Sequence, residues 1–144
     1  MIFSNDRTEL RRMYQDAWQR ARDGAPLEPL QAQIVDVIGE HPEYHALVEA
    51  PQTLERDWTP EEGQANPFLH MSLHLAIREQ CATNRPAGIG QVRERLSTQF
   101  GGAHQAEHAM LEILGRTLWE AQRAGQAPDE QRYLRTLQGL IRTP

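Results

Sequence analysis

Apolar positions recur every three or four residues along most of the chain, and no long stretch alternates strictly between apolar and polar. That is the period of a helix with one buried stripe, not of a half-buried strand. A first helix is predicted from about Asp6 to Asp23, with Leu10, Met13, Tyr14, Ala17 and Trp18 facing inward. Asp6 with Glu9 makes a capping-box pattern at its start, and Gly24 followed by Pro26 stops it. A second helix begins near Pro29, since proline fits a first turn whose N–H groups have no intrahelical acceptor. Leu30, Ile34, Val37 and Ile38 mark its inner face.

Prolines punctuate the middle of the chain. Pro42 disfavours helical backbone at His41, so a short third helix is expected over about 42–50, with His41 near its cap and Pro51 at its end. Residues 51–66 read as a loop with one turn, in which Trp58 plugs onto the core and Thr59-Pro60 opens another short turn. Asn66-Pro67 is a cap followed by a first-turn proline, so a fourth helix runs from Pro67 to about Asn84. A fifth spans 89–100 with Ile89, Val92, Leu96 and Phe100 inward, and Gly101-Gly102 breaks it. A sixth covers 103–124, and a seventh covers 128–142, buried through Tyr133, Leu134, Leu137 and Ile141. The expected fold is all-α, a single compact bundle of six or seven helices in one domain over residues 1–144.

Composition narrows the classes of function. The net charge of −5 argues against nucleic acid as the main partner, because phosphate binding needs a basic face. No apolar run approaches the ~18 residues of a membrane span, and the N-terminal stretch MIFSNDRTEL lacks the pattern of a secretory signal. Cys81 is the one cysteine, so no internal disulfide forms, and a cytoplasmic location is expected. All 15 basic residues are arginine, which excludes Schiff-base and lysine-nucleophile chemistry. Between Glu28 and Glu62 the acids Glu28, Asp36, Glu40, Glu43, Glu49, Glu55, Asp57, Glu61 and Glu62 face a lone Arg56. Such a segment suits either a basic protein partner or a plain solvated surface.

The histidines change the picture most. There are six, and each belongs to a pair spaced by four: His41/His45, His70/His74 and His104/His108. On a helix such a pair lies on one face, one turn apart, where two imidazoles can share a metal ion. In the fourth helix His70, Leu73, His74, Ile77 and Cys81 form one stripe, with Ser72 and Glu79 pointing away. In the sixth, His104 and His108 share a side with Leu111, Gly115 and Leu118. Glu107 sits on that flank, where a carboxylate among leucines needs a metal, an arginine or a histidine as partner. The candidate ligands are therefore His70, His74, His104 and His108, with Glu107 as a fifth ligand or an orienting group, and zinc or iron as the ion. Pro42 makes the geometry of His41/His45 less regular. His104-Gln-Ala-Glu107-His108 also spells H-x-x-E-H, but an inverted zinc peptidase needs a larger fold and a distant third ligand. The paired Glu-x-x-His pattern of carboxylate-bridged di-iron bundles is not met. No nucleophile elbow, Walker loop or dinucleotide glycine fingerprint occurs.

Three stretches, "AWQRARDGAPLEPLQAQIVDVIGEHPEYHALVE", "TPEEGQANPFLHMSLHLAIREQ" and "HAMLEILGRTLWEAQRAGQAPD", resemble a family of small bacterial proteins catalogued only as a domain of unknown function. The resemblance implies a compact helical protein and carries no activity, ligand or catalytic residue. Two readings stand beside it. One is a helical metal-binding protein using the histidine pairs. The other is an interaction or assembly module, docking through the acidic 28–62 segment, with a structural histidine network and no metal. Enzymatic action is conditional on an open metal position.

Overall fold

The structure, a computed structural model, describes residues 7–55 and 66–142. Among them are seven α-helices and no strand, as the all-α expectation required. They are α1 (Arg7–Arg22), α2 (Pro29–Gly39), α3 (His45–Glu49), α4 (Pro67–Thr83), α5 (Ile89–Phe100), α6 (Ala103–Ala124) and α7 (Glu130–Gln138). Short 3₁₀ turns at Pro42–Tyr44 and Pro51–Glu55 flank α3. Asp6, Trp58, Thr59-Pro60, Asp57, Glu61 and Glu62 lie outside the described residues. No helix among those described is long and apolar enough to cross a membrane. The chain divides into two compact units, one ending at Leu75 and the next beginning at Ala76, a boundary inside α4.

The first unit is built on α1, which packs against α2, α3 and the turn at Pro51–Glu55. Tyr14, Ala17, Ile34, Val37, Ile38, Val48, Phe68, Met71 and Leu75 form its core. Fully burying one such large apolar side chain stabilises by about 1.5–3 kcal/mol. Leu10, Met13 and Trp18, expected inside, are only partly buried at the rim. The charge buried beside them is Arg11, 2% exposed, whose Nη1 donates to the carbonyls of Thr53 and Leu54 at 3.1 Å each. Those bonds, with the guanidinium 5.3 Å from the Phe68 ring centroid, tie the 3₁₀ turn to α1. Glu28 precedes α2, and its N–H donates to Gln31 Oε1 at 2.9 Å.

Asn66 caps α4: its Oδ1 accepts from the N–H groups of Phe68 (3.0 Å) and Leu69 (3.3 Å), leaving Pro67 in the first turn. This helix is buried on nearly every side from Pro67 to Ile77, with Leu69 an exposed exception. Ser72, expected to face away from the buried stripe, is itself fully buried, and its hydroxyl lies 2.6 Å from that of Tyr14. Hydrogen bonding to a buried phenol is what permits a serine there.

In the second unit α5 packs on α6, and α7 packs on both. Ile89, Val92 and Leu96 of α5, Ala106, Met110 and Leu114 of α6, and Tyr133, Leu134 and Leu137 of α7 are buried. Gly101 (φ 88°) ends α5 in a left-handed conformation that glycine adopts without strain. Two expectations fail here. Phe100, the last residue of α5, is substantially exposed, because the chain reverses immediately after it. Ile141 lies beyond α7, which starts at its Asp129 cap and ends at Gln138. There Gln99 takes over from the helix: its Nε2 donates to Leu140 O (2.9 Å) and its Oε1 accepts from Arg142 N–H (2.7 Å).

Candidate metal-binding histidines

A helix ends with carbonyls that have no intrahelical donor. At the end of α2, histidine rings donate to two carbonyls that also accept the backbone N–H groups of Glu40 and His41. The ring of His41 donates from Nδ1 to Val37 O at 2.7 Å, and that of His45 donates from Nε2 to Ile38 O at 2.8 Å. Pro42 explains why the two rings diverge, since it keeps His41 out of helical backbone (φ −126°, ψ 68°). The bonds also fix tautomers. In neutral His41 the proton is on Nδ1 and Nε2 holds the lone pair; in His45 the order is reversed. His45 then turns away to pack on Trp18, ring centroids 4.7 Å apart. The His41/His45 pair of the sequence is therefore split.

His41 instead joins the helical pair of α4. Its ring centroid is 5.2 Å from that of His70 and 4.9 Å from that of His74, and His70 and His74 are 5.0 Å apart. His74 is 0% exposed and His41 is 3% exposed, whereas His70 is half-buried. A ring nitrogen of His41 and one of His74 lie within 4.8 Å of each other. Two zinc–imidazole bonds of ~2.0–2.1 Å at a tetrahedral angle place their nitrogens ~3.3 Å apart, so this pair is within a small side-chain adjustment of a shared ion. Tyr44 stacks flat on His41, with centroids 5.4 Å apart and planes 5° from parallel, and meets His70 edge-on at 6.1 Å. Burial, and then the charge of Glu43, push the Tyr44 phenol pKa up.

In the second unit the Nε2 atoms of His104 and His108 are 3.0 Å apart on successive turns of α6, one donating a hydrogen bond to the other. That is close to the separation two ligands of one tetrahedral ion would take. Glu107, between them in sequence, has another role. It is fully buried, and Arg78 donates from Nε (3.2 Å) and Nη2 (3.1 Å) to its Oε1. Arg93 donates from Nε (3.1 Å) and Nη2 (2.7 Å) to its Oε2. Charge-assisted bonds from two guanidinium forks occupy both oxygens. Glu107 is thus the hub of an ion-pair cluster, and the ligand role the sequence suggested for it gives way to that. The signal for Arg78 and Arg93 was present: a buried carboxylate needs a cation, and a chain without lysine offers only arginine.

Cys81, half-buried, holds its Sγ 4.0 Å from Ile89 O. Burial raises its thiol pKa, Arg93 lowers it by less, and Glu107 raises it further, so the protonated, unreactive form is favoured.

Fold and site together define the class: an all-helical protein that buries the imidazoles of His41 and His74 and an arginine-clamped carboxylate. The chain belongs to the family described as Domain of unknown function (DUF1841), which it matches over residues 6–139. No curated protein matches it, and no solved structure does.

Proposed function

We propose that this protein binds a divalent transition metal, zinc or iron, through imidazole nitrogens. His41 and His74 are the donors of the first unit, and His104 and His108 those of the second. The observation that carries the reading is the bond from His41 Nδ1 to Val37 O, which leaves the lone pair on Nε2 of a ring packed against His74. A second-sphere carbonyl holding the far nitrogen of a ligand ring is the usual way proteins orient metal-binding histidine. The same α2 end presents the negative pole of the helix dipole, which favours a cation nearby. Neutral imidazole suits zinc, iron, copper and nickel alike, so the donor type sets the class of ion and not its identity.

The test is elemental analysis of the full chain purified without an affinity tag, before and after dialysis against zinc or iron(II). At least one ion per chain is expected to survive exhaustive dialysis. His74→Gln and His108→Gln, each checked for native helicity, should both lower the retained metal, while His45→Gln should not. A wild-type protein that retains no metal, with unchanged thermal stability on adding either ion, overturns the reading.

A further inference from the structure

A metal reaches a buried pair of ligands only by exchanging its waters one at a time, and the first imidazole it meets must touch solvent. His41 and His74 are 3% and 0% exposed, so neither is suited to that first step. His70 is. It stands one helical turn before His74 on α4, and it is half-buried, so part of it meets solvent where His41 and His74 do not. Its ring is edge-on to both buried rings at 5.2 and 5.0 Å, and beside the half-buried Tyr44. From the geometry we infer that His70 is a loading ligand: it captures the hydrated ion at the surface and passes it to His41 and His74, without being a permanent member of the ligand set.

This role rests on the metal-binding reading and has its own signature. A group that lowers the barrier to transfer without stabilising the end state changes the loading and unloading rates by the same factor and leaves affinity alone. The backbone around His70 has no special conformation to lose, since the residue is interior to α4.

The experiment adds cobalt(II) alone to the metal-free full chain and follows the visible absorbance of the bound ion in a stopped-flow instrument. A chelator then removes the ion from the loaded protein. His70→Gln should reach the wild-type plateau with the wild-type midpoint, but load and unload several-fold more slowly, by equal factors. His70→Ala should behave likewise, and added free imidazole should restore its fast phase, which a packing defect would not permit. His45→Gln should load at the wild-type rate. Equal rates in wild type and His70→Gln overturn the inference while leaving the metal site standing. A lowered plateau or weakened midpoint in His70→Gln also overturns it, by making His70 a resident ligand. A wild type that gives no cobalt signal removes the metal-binding reading itself, and the loading role with it.

Discussion

The two units differ in the polar side chains they bury. In the second, a carboxylate with 0% exposure is answered by two guanidinium groups, so the charge is neutralised by the protein itself. In the first, the buried polar groups are Arg11, which donates to backbone carbonyls, the hydroxyl residues Thr53 and Ser72, and His41 and His74, rings that can be neutral and that carry lone pairs. A buried ion cluster with its bonds made is a device for holding helices together, and breaking it by removing one partner is costly. The imidazoles of the first unit pack on one another, and His41 also holds the end of α2 through Val37 O. The proposed metal binding rests on their donor chemistry: one ring with its tautomer fixed, and two ring nitrogens within 4.8 Å.

That contrast makes ranked predictions. Glu107→Ala should be the most damaging single change, lowering stability by about 3–5 kcal/mol in denaturant unfolding, because two guanidinium groups lose their shared carboxylate. A loss below about 1 kcal/mol would mean that water reaching the arginines screens the cluster as it does a surface pair. Tyr14→Phe comes next, at about 1–3 kcal/mol, since it removes the 2.6 Å partner of the buried Ser72 hydroxyl. Adding Ser72→Ala to Tyr14→Phe should cost less than the two single changes summed, and strict additivity would deny the coupling.

Alkali should act on both units. Burial raises the phenol pKa of Tyr14 and of Tyr133, the latter donating to Gln80 Oε1 at 2.8 Å. Tyrosine in the unfolded chain ionises near pH ~10, so the stabilisation from these phenols is complete below that pH and is lost as pH climbs beyond it. Melting temperature should fall above pH ~10, and less steeply in Tyr14→Phe/Tyr133→Phe. A native-state tyrosinate absorbance in which all tyrosines titrate at the ordinary value would contradict this. The smallest effect is at the head of α4, where Asn66→Ala should cost about 1 kcal/mol in thermal unfolding through loss of the cap, and a neutral substitution would show that Pro67 alone fixes the start.

Most helix starts were legible because their signals are local. Pro29, Asn66-Pro67 and Gly101-Gly102 act through their own backbone geometry, and the elements fall where they say. Periodicity was weaker at element ends: it placed Phe100 inside, although the chain turns before that side chain can reach the core, and it ran α7 on to Ile141, which Gln99 holds in a turn instead. The histidines were found by spacing, but spacing alone joined His41 to His45. The preference of a residue before proline breaks that pair, and the partners His41 finds, His70 and His74, come from a helix distant in sequence. Arg11 was missed for the same kind of reason, since the carbonyls that accept from it lie 42 and 43 residues away.

The most direct measurement is X-ray absorption at the metal edge of the zinc-loaded full chain, which counts the atoms bound to the ion and identifies imidazole by its scattering. At least two histidine nitrogens at ~2.0–2.1 Å are expected, falling in number in His74→Gln. A shell made only of oxygen, or one unchanged by that substitution, would show that the imidazoles are packing groups and that this protein does not hold metal through them.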